Sequence, residues 1–154
     1  MPAIKVTAAK GLFQTGGTTA VPNGSLSGDL KVVSAVSANT TLTAADSGKI
    51  IELDADAAYT KTLPSAGSAK GFYARFVLVD AGSNDVKITN GVANGIQGHT
   101  SDPTTGINTV DHHLIKFVAS TAIVGDFVEL YSNGTRYIVH GASGATDGLA
   151  GAAS

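Results

Sequence analysis

Cysteine and tryptophan are absent from this 154-residue chain, and charged residues make up only 14% of it. Without cysteine, the fold has no disulfide framework, no cysteine-ligated zinc site and no thiol nucleophile. The formal net charge is -2 at pH 7, so the chain lacks the basic field with which proteins hold nucleic acid or an anionic membrane surface. We therefore expect stability to come from burial or assembly, and we predict no nucleic-acid partner.

Long apolar runs are also missing. The most apolar region, residues 115–131, is broken by Lys116 and Glu129, so no segment is expected to cross a membrane. Lys5 and Lys10 lie inside what would be the apolar core of a secretion signal, so export by that route is not predicted. We expect the protein to stay where it is made or to be carried in an assembly.

Turn-forming residues are abundant instead. The chain has 19 glycines and four prolines, and they separate short runs rich in Val, Ile, Thr and aromatic residues. No window keeps helical periodicity over three turns. This pattern predicts an all-β protein, a single antiparallel β-sandwich or barrel of the jelly-roll type. The predicted strands include "DLKVVSAV", "GKIIELD", "AYTKTLP", "GFYARFVLVD" and "VKITN".

Two local turns are marked by their residue types. In "FVELYSNGTRYIVHG", Asn133 and Gly134 separate two strand-like runs, residues 127–131 and 135–140. This pair of residues is the one best suited to a tight hairpin turn, so the two runs should pair in antiparallel fashion. In "TAAD", Thr43 is suited to cap one short helical turn.

The chain is expected to form one domain with two tails. Residues 1–28 are rich in Gly, Thr and Ser and are predicted to be an extended N-terminal arm. Residues 29–141 are predicted to be the β-domain. Residues 142–154 have almost no anchoring side chain and are predicted to be a flexible C-terminal tail.

Two adjacent histidines lie in the stretch "VDHHLIKFV", residues 110–118, which is interpreted as one strand. Alternation along a strand puts His112 on the face of Leu114 and His113 on the face of Ile115, so the two imidazoles cannot hold one ion. The other histidines of the chain lie at no recognisable zinc spacing from them. We predict strand packing or a subunit contact for this pair, and no metal site.

Two segments, residues 72–79 and 110–118, are apolar on both strand faces. A sandwich in water wets one face of each sheet, so the second apolar face should meet either another subunit or the chain's own arm and loops. The predicted subunit interface consists of Tyr73, Arg75, Val77, Val79, His112 and Leu114.

Three acidic residues, Glu52, Asp54 and Asp56, alternate in "IELDADA" and would share one strand face. They are interpreted as a solvated outer face, because a calcium loop draws carbonyl ligands from a tight turn and this stretch has no glycine. A calcium site or a paired-carboxylate hydrolase is the alternative. The chain contains no GxSxG, HExxH or phosphate-binding loop, so we predict no enzyme, no catalytic residue, no metal and no cofactor.

Several segments follow one another in a recognisable order: "TLTAADSGK", "TLP", "FVLVDAG", "VKITNGVANGIQG" and "GDFVELYSNGTRYIVHG". Over about residues 37–141 they resemble the small capsid decoration proteins of tailed bacteriophages. The resemblance implies a non-enzymatic homotrimer that binds the major capsid protein at three-fold sites and stabilises the expanded head. It implies a place on the outer surface of the virion, after synthesis in the host cytoplasm. Similar segments occur in head-fibre and tail-fibre modules, so a module that binds host-surface glycan is the alternative.

The N-terminal arm lies outside this resemblance. Ile4 and Val6 alternate as in a strand and are expected to add an edge strand to a neighbouring subunit or capsid protein. Leu12 and Phe13 are expected to seat in a pocket. These four residues form the predicted capsid-binding part of the arm.

Overall fold

The computed structural model describes residues 3–7, 11–15, 33–35, 37–93, 95–104 and 106–152. The chain divides into two compact units, residues 1–30 and residues 31–154.

The described residues of the first unit form an antiparallel strand pair, β1 (Ala3–Thr7) and β2 (Gly11–Thr15). Val6 lies opposite Leu12 in this pair. The described stretches of the predicted arm thus pair with each other, because two alternating runs close in sequence can satisfy each other's backbone groups.

The described part of the second unit is built from twelve strands and one 3₁₀ turn. In chain order these are β3 (Val33–Ala35), β4 (Thr40–Thr41), the 3₁₀ turn (Ala44–Asp46), β5 (Lys49–Asp54), β6 (Tyr59–Thr62), β7 (Tyr73–Asp80), β8 (Val86–Thr89), β9 (Ile96–Asp102), β10 (Gly106–His112), β11 (Leu114–Phe117), β12 (Phe127–Ser132), β13 (Tyr137–Ala142) and β14 (Leu149–Ala152).

These strands form two sheets. A seven-stranded sheet has the order β10-β9-β13-β12-β7-β5-β3, and a five-stranded sheet has the order β14-β11-β8-β6-β4. The all-β sandwich prediction is confirmed, and neither sheet closes into a barrel.

The expectation of purely antiparallel pairing needs a correction, since both sheets are mixed. Five neighbouring pairs run parallel: β3 with β5, β5 with β7, β9 with β13, β4 with β6, and β6 with β8. From β4 to β9 the chain alternates between the two sheets, so each strand returns to its sheet in the direction of the strand two before it. Crossing connections of this kind produce parallel neighbours, whereas hairpins produce antiparallel ones.

The core lies between the inner faces of the two sheets. The face of the 72–79 segment that was predicted to be buried is buried, with Phe72, Ala74, Phe76 and Leu78 at most 2% exposed. The ring of Phe72 meets the ring of Tyr137 edge to face, with 6.1 Å between their centroids. The largest fully buried side chains are Tyr137, Lys61, Phe76, Phe117, Ile51, Leu53, Leu78, Ile88, Ile96, Ile115, Leu130 and Val86.

The predicted antiparallel hairpin is formed by β12 and β13. Its connection is longer than the predicted two-residue turn. A type I′ turn needs positive φ at both central residues, and of the pair Asn133 and Gly134 only Gly134 has one, of 94°. The Asn133 carboxamide oxygen accepts hydrogen bonds from the backbone N–H groups of Thr135 and Arg136 instead.

The predicted helical turn after Thr43 is confirmed as the 3₁₀ turn Ala44–Asp46. The Asp46 carboxylate accepts hydrogen bonds from the Thr43 backbone N–H, at 2.7 Å, and from the Thr43 hydroxyl, at 2.9 Å. The turn is therefore closed by a side chain within itself.

The prediction of a flexible tail over residues 142–154 is wrong for Leu149–Ala152. These residues form β14, which pairs with β11, and the Leu149 side chain is only 9% exposed. The small side chains of this segment gave no signal in the sequence that it would be anchored. Backbone hydrogen bonds to the edge of a sheet hold a strand whatever its side chains are.

No helix in the described ranges is long and apolar enough to cross a membrane.

Candidate protein-binding face

The outward side of the seven-stranded sheet carries a connected set of half-exposed aromatic and aliphatic side chains. Strand alternation turns these residues away from the buried ones on β7, β12 and β13. We call this set the outer face, and it consists of Tyr73, Arg75, Val77, Val79, Phe127, Glu129, Tyr131, Ile138 and His140.

Strand register aligns most of the outer face in rows across three strands. The first row is Tyr73, Tyr131 and Ile138, the second is Arg75, Glu129 and His140, and the third is Val77 with Phe127. Cross-strand neighbours of this kind are close enough for their side chains to touch. The outer face is therefore a continuous surface.

The middle row is charged but internally balanced. The Arg75 guanidinium donates to the Glu129 carboxylate, with Nη1 and Oε1 2.8 Å apart. The same guanidinium lies 4.2 Å from the centroid of the Phe127 ring, and that ring meets the His140 ring with 6.0 Å between centroids. Arginine stacked on an aromatic ring is held flat against the sheet. The row therefore carries little net charge and presents planar groups.

The first row borders a shallow depression of about 120 Å³. Tyr73 and Tyr131 lie at paired positions beside it, with Ile138 and His140 on the neighbouring strand. Burial raises the pKa of the Tyr73 hydroxyl, and the nearby Glu129 carboxylate raises it further. Tyr131 is 49% exposed and Val79 is 43% exposed, so both contribute apolar area to the surface of the outer face.

The structure brings together four of the six residues predicted for a subunit interface. Tyr73, Arg75, Val77 and Val79 all lie on the outer face, on strand β7. The other two, His112 and Leu114, lie elsewhere: His112 ends edge strand β10 of the seven-stranded sheet, and Leu114 begins β11 of the five-stranded sheet.

The interpretation of residues 110–118 as one strand is therefore wrong. The segment bends at His113, where the chain passes from one sheet to the other. A single strand and two strands meeting at a corner have the same apolar pattern, so alternation alone did not reveal the bend.

The acidic residues of "IELDADA" are also arranged differently from the prediction. Glu52 and Asp54 share the outward side of β5 as predicted, but the strand ends at Asp54, so Asp56 lies in the following turn and does not belong to that face. The carboxylates of Asp54 and Asp56 instead come within 4.8 Å of each other and of Asp80 at the end of β7.

This acidic turn is held by the protein's own hydrogen bonds. The Asp54 carboxylate accepts from the Asp56 backbone N–H at 2.8 Å, and the Asn84 amide donates to the carbonyls of Ala55 and Asp56. Three carboxylates at this spacing offer hard oxygen ligands of the kind that calcium takes. Asp80 was missed from the sequence because its approach depends on the parallel pairing of β5 with β7.

Two more exposed apolar residues, Ile123 and Val124, were missed. They are 44% and 61% exposed, in the loop before β12. The backbone N–H of Gly125 in that loop donates to the Leu78 carbonyl at 2.8 Å, so the loop lies beside the end of β7 that carries Val79. The only sequence signal was the short apolar run that they form.

Comparison with known proteins found no matching family model, no matching curated protein and no matching solved structure.

Proposed function

We propose that this chain is a non-enzymatic virion protein that decorates the expanded head of a tailed bacteriophage. It acts as a homotrimer that binds the major capsid protein at three-fold sites and stabilises the shell. The order of the segments from "TLTAADSGK" to "GDFVELYSNGTRYIVHG" motivates the virion assignment. The outer face is the structural observation that carries the binding role.

The physical argument begins with the cost of leaving the outer face in water. A sandwich normally places polar side chains on the outer side of each sheet. Tyr73, Val77, Phe127, Tyr131 and Ile138 occupy such positions here. Burying them against another protein surface removes apolar area from water, which stabilises the complex by about 25 cal/mol per Å² before the costs of association.

The charged row opposes that burial less than unpaired charges would. Burying an unpaired charge costs several kcal/mol, whereas Arg75 and Glu129 already neutralise each other. Arginine and aromatic residues are also the types enriched at the energetic centres of interfaces. The outer face is thus suited to contact a second copy of the chain.

Stabilisation of the head follows from repetition. A trimer that binds only the expanded lattice shifts the equilibrium towards that lattice by mass action. Each contact can be weak, because three linked copies bind with a high effective concentration.

The subunit contact is tested by light scattering on the purified chain and on two matched variants. Tyr131→Asp places a charge in the first row of the outer face, and Val92→Asp places one on a loop residue that is 60% exposed and is not part of the outer face. We expect a trimer for the wild type and for Val92→Asp, and dissociation for Tyr131→Asp. A monomeric wild type, or a Tyr131→Asp trimer of unchanged stability, would contradict the interface.

The capsid role is tested by sedimentation with emptied, expanded heads of a tailed phage stripped of their decoration protein. We expect the chain to sediment with expanded heads and to remain in the supernatant with unexpanded ones. Equal recovery in the supernatant with both kinds of head would contradict the assignment.

A second candidate function is a fibre module that binds host-surface glycan. It is favoured by Tyr73 and Tyr131, which lie beside one depression with Glu129 and His140. Sugars pack on aromatic rings and hydrogen-bond to carboxylate and imidazole groups. Binding of the chain to cell-surface polysaccharide that is lost in Tyr131→Ala, without binding to heads, would favour this function over decoration.

A further inference from the structure

We propose that His99 and His140 form a binding site for a divalent transition-metal ion such as Zn²⁺ on the outward side of the seven-stranded sheet. This inference does not depend on the proposed function. It rests on the strand register that makes the two residues neighbours, on their exposure and on the chemistry of the imidazole ring.

The pairing of two strands that are distant in the sequence brings the histidines together. Strands β9 and β13 run parallel, and His99 of β9 is the register partner of His140 of β13. Both histidines are exposed, and in each strand the residue that follows, Thr100 or Gly141, is buried. Strand alternation therefore points both imidazoles to the same outward side. Their separation in the sequence matches no zinc motif, so only the tertiary structure reveals the pair.

The spacing of the pair suits one ion. Neighbouring strands lie about 4.8 Å apart, and zinc–nitrogen bonds of about 2.1 Å place two ligand nitrogens about 3.4 Å apart at a tetrahedral ion. The two imidazoles therefore need to converge by only about 1.5 Å. The His140 ring rests against the Phe127 ring, with 6.0 Å between their centroids. Because His140 is exposed, rotation about its side-chain bonds brings it beside His99.

The backbone beneath the pair is held in place by a close approach of the two strands. Gly98 precedes His99 and is the register partner of Val139, which precedes His140. A Cβ atom on Gly98 would lie 2.0 Å from the Val139 carbonyl oxygen, and Gly98 has a φ of 145°, a conformation that residues with side chains rarely adopt. A glycine is therefore required next to the histidine pair, and its contact fixes the register of the two ligands.

Hydrogen bonds at both ends of this strand pair extend the pairing beyond the histidines. The backbone N–H of Tyr137 donates to the Gly95 carbonyl at 2.9 Å, and the backbone N–H of Ser143 donates to the Ser101 carbonyl at 2.9 Å. The histidines lie between these two anchors, so neither strand can slide along the other. Two ligands that are already held side by side lose little backbone freedom when they bind an ion.

The positive charges nearest to the pair are already compensated. On one side, the Arg75 guanidinium donates to the Glu129 carboxylate of strand β12. On the other side, the Arg136 guanidinium donates to the Gln97 carboxamide oxygen, and the Gln97 amide donates to the Asp111 carboxylate at 2.7 Å. Within their described bounds, strands β9, β10, β12 and β13 contain no lysine or arginine. A metal cation at the pair therefore meets little repulsion.

The ligand type selects the class of ion. Imidazole nitrogen suits Zn²⁺, Cu²⁺ and Ni²⁺, whereas Mg²⁺ and Ca²⁺ take oxygen ligands such as the carboxylates of the acidic turn. Two histidines leave the other positions of a four-coordinate ion to water. A site with only two protein ligands loses its ion in metal-free buffer, so we expect it to be occupied only where the metal is supplied.

A bound ion would connect the edge of the sheet to its centre. Strands β10 and β9 form one edge of the seven-stranded sheet, and within that sheet they join the other strands through β13. An ion that bridges His99 and His140 ties β9 to β13 through side chains as well as backbone. Because this arrangement exists only in the folded chain, the ion should raise the melting temperature by mass action.

The test is a titration of the full chain with ZnCl₂ at micromolar concentration, after treatment with EDTA and transfer to metal-free buffer. Calorimetry gives the stoichiometry, and NMR follows the carbon-bound ring protons of the four histidines of the chain. We expect one Zn²⁺ ion per chain and shifts of the ring signals of His99 and His140, with those of His112 and His113 unchanged. The same concentration of Mg²⁺ should shift none of the four rings.

Two single variants and one control locate the ion. His99→Gln and His140→Gln each remove one of two ligands at an exposed position, so the fold should be retained, which urea denaturation checks. Each should weaken zinc binding at least about tenfold, since loss of even an outer partner of a metal ligand weakens binding about tenfold to a hundredfold. Asp80→Asn changes the acidic turn and should leave the zinc affinity unchanged.

Several results would overturn the proposal. One is the absence of a zinc-dependent shift of both the His99 and His140 rings at micromolar Zn²⁺. Another is an unchanged zinc affinity in either histidine variant. Loss of zinc binding in Asp80→Asn, or a zinc-dependent rise in melting temperature that persists in His99→Gln, would place the ion elsewhere and would overturn the proposal as well.

Discussion

Lys61 is a lysine within the sandwich core, and its burial makes a specific prediction about stability and pH. Its side chain is fully buried on the inner face of β6, between Tyr59 and Leu63. The ammonium donates to the Ala38 carbonyl at 2.7 Å and lies 4.6 Å from the centroid of the Tyr59 ring. Burial lowers the pKa of Lys61 from its ordinary value of 10.5 to about 8.

The sign of the effect follows from proton binding in the two states. Below pH 8 the lysine is protonated in both the folded and the unfolded chain. Between the folded pKa of about 8 and the unfolded value of 10.5, the unfolded chain holds a proton that the folded chain has lost. Stability therefore rises with pH across this window.

The expected rise is large enough to measure. Between about pH 7 and pH 9.5, the free energy of unfolding should increase by about 2 kcal/mol, since one pKa unit corresponds to about 1.4 kcal/mol. Tyr137 and Tyr59 act in the opposite direction at higher pH, because burial raises the pKa of Tyr137 to about 12 and also raises that of Tyr59. The measurement should therefore stop near pH 9.5.

Urea denaturation at a series of pH values measures this slope. Lys61→Met keeps the length of the side chain and removes the proton, so its stability should be flat where that of the wild type rises. Lys70→Met, at an exposed position, is the matched control and should keep the wild-type slope. A flat wild-type curve, or the same rise in Lys61→Met, would refute the reasoning.

Three further predictions concern other parts of the chain. Asp126→Ala should lower the free energy of unfolding by about 3 kcal/mol, because the buried carboxylate accepts from Ser143 and from the backbone N–H groups of Ile123 and Gly144; a loss below about 1 kcal/mol in urea denaturation would contradict this role. EDTA should leave the melting temperature unchanged, because protein hydrogen bonds hold the acidic turn; a decrease that calcium reverses would show that the turn binds an ion. Deleting residues 1–28 should leave the circular dichroism spectrum and oligomeric state nearly intact but weaken attachment to heads; aggregation would instead mean that this region covers an apolar face, and a soluble trimer with full head affinity would contradict both views.

Local patterns in the sequence determined which stretches are strands and how some of them turn. Alternation predicted β5 to β8. It also correctly separated the buried side of β7 from its outward side, which carries Tyr73, the residue that pairs with Tyr131 of β12. Asn133 and Gly134 marked the hairpin, and Thr43 marked the 3₁₀ turn. These features depend on residues close together in the chain, and a short window of sequence contains all the residues involved.

Strand partners were decided only by the tertiary structure. The sequence does not state that β4 to β9 alternate between two sheets, and that alternation makes the sheets mixed. It also brings Asp80 to Asp54 and Asp56, since the parallel neighbours β5 and β7 end at the same edge. Long-range pairing of this kind leaves no signal in any local window.

The bend at His113 and the burial of Lys61 were also decided by the tertiary structure. The pattern around His112 is that of one strand, but the chain changes sheets there, so residues expected on one face belong to two different sheets. In the sequence, Lys61 is a polar residue within an ordinary strand-like run. In the structure its side of β6 is the inner one, and it lies opposite Ile88 of β8. Sequence alone determined the class of fold and the apolar outward face of β7, because both follow from the period of a strand. The tertiary structure decided which polar groups are buried, because burial depends on the element that packs opposite.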